Sequence, residues 1–210
     1  GAFYIENEEF SKLNLENFPD TKEFEQCTFK DCDLTHVSFN KRVFSDCIFI
    51  NCNISLVDLT KCSLRICHFK DCKLSGINFS DCNSIGLKIE FSNSFLQHCI
   101  FNSIGLKNTL FSTCRLLGTD FTGSNLSGSK FTSCEMSDVL FLNTNLEKCE
   151  FIDCTNLIFN PTENKCRGLK ISTENAIDIM SVWGISVDKP VETQHAVETW
   201  HATSLPIPKM

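Results

Sequence analysis

The sequence predicts a solenoid, and two regularities predict it. The first is a large apolar residue at every fifth position: Phe24, Phe29, Leu34, Phe39, Phe44, Phe49, Ile54, Leu59, Leu64, Phe69, Leu74 and Phe79. After one break the series resumes with Phe91, Leu96, Phe101, Leu106, Phe111, Leu116, Phe121, Leu126, Phe131, Met136, Phe141, Leu146 and Phe151. A helix repeats at about 3.6 residues and a half-buried strand at about 2, so a period of five fits neither. It fits a coil whose five-residue sides each turn one bulky side chain inward and then bend. Self-similarity at a fixed period is the mark of a stacked repeat array.

The second regularity is a small residue two positions before each bulky one. Thirteen of the fourteen cysteines occupy that slot, and only Cys166 lies outside it. Elsewhere mainly Val, Thr, Ser or Ile fill it. A free cysteine behaves as a small buried hydrophobe, so the thiols read as core residues. A disulfide framework belongs to short secreted chains, and here the cysteines follow the repeat and no signal peptide is evident. Zinc sites need clustered ligands at special spacings, whereas Cys-x4-Cys arises here from the period alone. His36, His68 and His98 fall on outward positions. Reduced thiols imply a reducing compartment, which points to cytoplasm.

Stretches such as Cys32-Asp33-Leu34-Thr35, Thr119-Asp120-Phe121-Thr122-Gly123 and Ser124-Asn125-Leu126-Ser127-Gly128 resemble the consensus of the pentapeptide-repeat family. The resemblance covers residues 24–159. It implies an all-β fold, a right-handed quadrilateral parallel β-helix with twenty residues per coil. At that spacing Cys27, Cys47 and Cys67 stack on one face and Cys32, Cys52 and Cys72 on the next. Opposed walls should be phenylalanine ladders (Phe91, Phe111, Phe131, Phe151 against Phe101, Phe121, Phe141), with Leu/Met ladders between them. At about 4.8 Å per coil, the ordinary spacing of paired strands, about seven coils give a rod of roughly 33 Å.

The elements follow in order. Residues 1–23 are acidic and weakly periodic, and are expected to cap the first coil, whose edge would otherwise expose unpaired strand groups. Residues 24–159 form the β-helix. Between Ser84 and Phe91 two extra residues enter, which predicts a bulge or bend, with Gly86 in a backbone conformation that other residues resist. Residues 160–188 form a terminal module. Ser172 or Thr173 caps a helix over about 173–183, with an apolar face of Ala176, Ile177, Ile179, Met180 and Trp183 and Gly184 as its C-cap. Residues 189–210, with Pro190, Pro206, Pro208, His195, Trp200 and His201, show no periodic pattern and read as a flexible or engineered tail. His195 and His201 have no third metal ligand placed with them.

The terminal block Gly168-Leu169-Lys170-Ile171, followed by a short helix and Gly184-Ile185-Ser186-Val187, is similar to the dimerisation module of the Qnr-type and microcin-immunity branch. Ser84 to Glu90 resembles the mid-rod interruption of that branch. The similarity implies a homodimer through Leu169, Ile171, Ala176, Ile177, Ile179, Met180, Trp183 and Ile185. It also implies a DNA-mimic partner of DNA gyrase or another type II topoisomerase, protecting it from a quinolone or a peptide toxin. Projecting loops, frequent in the Qnr-type proteins, are absent from Phe29–Phe79 and Phe91–Phe151, which favours the toxin-immunity type.

Charge bears on this function. The net charge of −7 excludes a simple nucleic-acid binder. An acidic rod can instead occupy a basic DNA-binding groove. The acid is unevenly spread, with −4 in residues 1–23, −2 in 24–156 and −1 in 157–210. Asp31, Asp33, Asp71, Glu135, Asp138, Glu147, Glu150 and Asp153 are the candidate partner-binding acids, diluted by Lys30, Lys61, Lys70 and Lys73. No phosphate loop, metalloprotease motif or triad spacing occurs, so no enzyme, cofactor, metal or small-molecule substrate is expected. No apolar run approaches the ~20 residues of a membrane span. The alternative function is a scaffold solenoid whose partner is a protein unrelated to DNA topology.

Overall fold

The computed structural model describes residues 1–188; the expectations for the tail, His195 and His201 lie outside the described residues. The chain winds into a parallel β-solenoid of about seven turns with one short C-terminal helix. Its four faces follow the four bulky positions of each coil. Strands Tyr4–Glu6, Glu23–Glu25 and Val43–Ser45 pair in parallel on the first face. Glu9–Ser11, Thr28–Lys30, Ile48–Ile50, Lys88–Ser92, Leu110–Ser112, Lys130–Thr132 and Glu150–Ile152 build the second, and the long strand Ser63–Lys70 spans both. The third face stacks Asn53–Ser55, Lys73–Ser75, Phe95–Gln97, Arg115–Leu117 and Glu135–Ser137. The fourth is joined by single bridges such as Ile100 to Asp120 and Asp120 to Leu140.

Each side is short because each ends in a tight corner. The residue two past nearly every bulky centre takes a left-handed conformation, as at Asp31, His36, Asn51 and Asp71, with Asp81 in a 3-10 turn as an exception. At several corners the residue three past the bulky centre donates its N–H to the carbonyl of the bulky one, as Val37 does to Leu34 (2.9 Å) and Arg42 to Phe39 (3.0 Å). A positive φ at the third turn residue matches a type II turn. Asp, Asn and Gly tolerate that conformation best. Glycine is required at Gly118, where an added Cβ would lie 2.5 Å from the ring Nδ1 of His98, one coil below.

The core is a column of stacked side chains. Phe10, Phe29, Phe49, Phe69, Phe91, Phe111, Phe131 and Phe151 stack in sequence, with centroids 4.5–5.3 Å apart. On the opposite face Phe79, Phe101, Phe121 and Phe141 stack at 4.5–5.4 Å. The two ladders meet edge to face, as between Phe91 and Phe101 at 6.0 Å and 89°. Stacked and T-shaped pairs are the two favoured aromatic geometries, so the coil spacing and the ring preference coincide.

All thirteen repeat cysteines are buried and unpaired. Several donate from Sγ to the carbonyl of the bulky residue one coil below, as Cys67 does to Phe44 (3.3 Å) and Cys154 to Phe131 (3.1 Å). Burial pushes Cys47 and Cys99 up to about 12, so these groups stay thiols.

The break at 84–91 is a bulge. The register between Ser63–Lys70 and Lys88–Ser92 shifts between Lys88 and Ile89. Gly86 takes φ +74° over the Arg65 side chain. The phenylalanine column crosses the break without interruption, at 5.3 Å from Phe69 to Phe91.

The two ends differ from the middle. Residues near the N-terminus make one further coil, with Ile5, Phe10, Leu13 and Phe18 packed on the core. Phe18 lies 5.6–5.9 Å from Phe24, Phe29 and Phe39. Arg42 locks this coil. Its guanidinium lies over the Phe18 ring, and Nη1 donates to the carbonyls of Pro19 (2.8 Å) and Thr21. At the other end Lys170 continues the second face beside Glu150. Helix α1 (Thr173–Met180) then starts at Ser172, whose hydroxyl accepts from the Asn175 N–H (3.1 Å). A 3-10 turn, Ser181–Trp183, follows and ends at Gly184 in the left-handed conformation. The α-helix is thus three residues shorter than the spacing predicts, because the last turn tightens.

Candidate partner-binding surfaces

The eight candidate acids do not form one stripe. Asp31, Asp71 and Asp153 share one corner column, between the second and third faces, at the left-handed position. Amide and hydroxyl residues separate them: Asn51, Asn93, Thr113 and Ser133 hold the intervening corners. Asn51 donates to Asp31 (2.7 Å) and Asn93 to Asp71 (2.6 Å). Asp33 and Glu135 lie on the third face and Asp138 at its far corner. Glu150 is on the second face and Glu147 on the first. Asp31, Asp33 and Asp71 do converge, around a shallow recess of about 330 Å³ lined also by Asn51, Asn53 and Lys73.

Two of the acids are neutralised by cations one coil away. Arg115 Nε lies 3.4 Å from Glu135. Glu150 sits between Lys130 (3.7 Å) and Lys170 (3.4 Å). Exposed pairs add little stability, but they cancel the field that a DNA mimic needs. The signal was in the sequence: these residues are spaced twenty apart, and a twenty-residue step along the chain finds them.

Asp33 has a local role as well. Its carboxylate accepts from the Thr35 hydroxyl (2.6 Å) and N–H (3.2 Å), which holds it below the usual carboxylate range. The same pairing recurs at Asp58 with Thr60 and at Asp120 with Thr122. These aspartates shape turns, and they recur with the repeat.

The terminal module divides its apolar residues between two sides. Ile179 is buried on the end of the solenoid, and Leu169, Ile171, Ala176 and Ile177 are half-buried. Met180, Trp183 and Ile185 are exposed, and Val182 and Val187 join them. These last two, together with Asn175, were not singled out by the helical pattern. Asn175 is fully buried and donates from Nδ2 to the Cys154 carbonyl (2.9 Å), fixing the helix on the last coil. An asparagine on an otherwise apolar face was the available signal. The exposed set makes an apolar end to the rod of the kind that marks an interaction site.

Among the described residues, no group of three or more His, Cys, Asp or Glu is arranged to hold a metal. His68 Nε2 lies 2.8 Å from the Ser92 hydroxyl. No helix of the described residues is long and apolar enough to cross a membrane.

Comparison with known proteins bears on these surfaces. A family model described as a pentapeptide repeat region matches residues 22–98. A second, described as the SV2A/B/C luminal domain, matches residues 86–141. No curated protein sequence matches the chain. Two solved structures of trypsin-treated variants of QnrB1, described as a plasmid-mediated fluoroquinolone resistance protein, superimpose along the rod. One is 20% identical with TM-score 0.58, covering 90% of this chain and 100% of that one. The other is 19% identical with TM-score 0.61, covering 86% and 99%. At such identities the likeness is one of fold.

Proposed function

We propose that this chain is a pentapeptide-repeat solenoid acting as a non-enzymatic DNA mimic, which binds DNA gyrase or another type II topoisomerase and protects it from an inhibitor. The observation that carries the reading is the superposition with QnrB1 along nearly the whole rod. The acidic corner of Asp31, Asp71 and Asp153, with Asp33 beside it, is the mimicking surface. The field is weaker than that of a duplex, which carries one charge per about 1.7 Å. Shape and a few placed carboxylates therefore do most of the work. The inhibitor is a quinolone or a peptide toxin. The rod acts as a homodimer joined end to end through Met180, Trp183 and Ile185, with residues 1–23 capping the free ends and 160–188 forming the joint. Its reduced thiols suit the bacterial cytoplasm.

Gyrase supercoiling in the presence of fluoroquinolone and peptide-toxin poisons tests the reading. Low amounts of the protein should restore supercoiling selectively against one class. Absence of both binding and rescue by folded protein would sink it. For the joint, Met180→Asp with Trp183→Asp should yield monomers by light scattering, and an unchanged mass would reject the assigned interface. The alternative, a scaffold solenoid with a partner unrelated to DNA, draws on the neutralised acids at Glu135 and Glu150 and on the second model matched over 86–141.

A further inference from the structure

A cationic patch opposite in sign to the acidic corner lies at mid-rod on the first face, between the acidic residues Glu6, Glu23 and Glu25 at one end and Glu147 towards the other. Arg65 and Lys88 are register partners on adjoining strands. Lys107 follows Leu106 on the next coil of the same face. All three are exposed, and none is in an ion pair among the described residues. Asp46 and Glu90 flank this group, and neither comes within ion-pair distance of it.

Two exposed isoleucines stand among these cations. Ile85, in the bulge, is 87% exposed. It lines a recess of about 280 Å³ with Ser63, Arg65, Asn83 and Ser84. Ile66, next to Arg65, is 58% exposed and sits at φ +61°. A β-branched residue there is an outlier, and most other corners of this rod use Asn, Asp, Gly, Ser, Thr or Lys. Stored backbone strain of this kind concentrates at functional positions.

We infer that Ile85 and Ile66, ringed by Arg65, Lys88 and Lys107, form a second docking surface for an acidic protein segment with an apolar recess, borne by the topoisomerase. This rests on the function proposed above. An apolar anchor inside a charged rim is the usual anatomy of a protein contact. A nucleic acid fits less well, since it offers no recess for the isoleucines and meets a chain of net charge −7. The patch lies on the side of the rod opposite the recess of Asp33. A cationic patch on one side and carboxylates on the other favour one way round for the rod in the enzyme, since like-charge juxtaposition is costly.

The experiment measures gyrase affinity for the wild-type protein, for Ile85→Asp, and for the triple variant Arg65→Glu, Lys88→Glu, Lys107→Glu. All the altered side chains are exposed, and circular dichroism verifies the fold. At least tenfold weaker binding is expected for both variants. The triple variant is a test of sign: if only the acidic side mattered, three added glutamates would leave binding unchanged or tighten it. Wild-type binding with both variants within twofold of it, or with the triple variant tighter, would overturn the inference. Failure of the wild-type protein itself to bind would overturn the proposed function, and this surface with it.

Discussion

Phe111 tests the architecture most directly. It is fully buried. Its ring stacks on Phe91 at 5.2 Å and on Phe131 at 4.5 Å, and meets Phe101 and Phe121 edge to face at 6.4 and 5.9 Å. Phe111→Ala opens a cavity between two coils that hydrogen-bonded strands hold apart, so collapse is restricted. The expected cost is about 3–5 kcal/mol. Phe111→Leu is a milder change, because Leu106 and Leu116 fill the same inward slot on the adjoining faces. It forfeits chiefly the two stacked pairs, at about 0.5–1.5 kcal/mol each. Against a total of about 5–15 kcal/mol the first change is severe and the second tolerable. Urea denaturation followed by far-UV circular dichroism reads both costs. Hydrogen exchange adds position: in a stacked array each coil contacts only its neighbours. Protection should fall first near Leu110–Ser112 and the strands on either side. A cost for Phe111→Ala below about 1 kcal/mol, or one equal to that of Phe111→Leu, would refute the account of the ladder.

Three further outcomes are expected. Ile66→Gly removes the left-handed strain and should stabilise the fold by about 1 kcal/mol, read as a higher urea midpoint, while weakening the partner contact inferred above. Arg42→Ala should release the first coil, visible as early loss of amide protection at Tyr4–Glu6 and Glu9–Ser11 before the rest of the rod opens. Thr60 hydrogen bonds depress the Asp58 carboxyl in the folded state, so its contribution is complete above the unfolded value of about 3.9 and is lost as pH falls through the lower folded value. The stability gap between wild type and Asp58→Ala should therefore be largest near neutral pH and close in strong acid; a gap independent of pH would contradict that assignment.

Much of the fold is legible from spacing. The bulky residues at Phe29, Phe49 and Phe69 share a face because a closed coil returns every twenty residues, and arithmetic on the sequence assigns that face. The helix start at Ser172 and the bulge near Gly86 are equally local, the first set by one side chain and the second by two residues added to the period of five. The N-terminal coil is a different case. Ile5, Phe10, Leu13 and Phe18 follow no clean period of five, yet Tyr4–Glu6 and Glu9–Ser11 pair in register with the strands above. Backbone hydrogen bonds accept any side chain that does not clash, so pairing extends past the point where the pattern fades.

The surfaces divide along the same line. The sequence by itself determined the solenoid, the buried thiols and the apolar end of the rod, because burial imposes a period that residue types must obey. Outward positions carry no such constraint, and only the tertiary structure decided what they do. It turned Asn175 inward onto Cys154 and Trp183 outward, and left Ile85 exposed beside Arg65. Those relations join residues twenty or more positions apart, and they exist because closing each coil sets one coil's surface against the next.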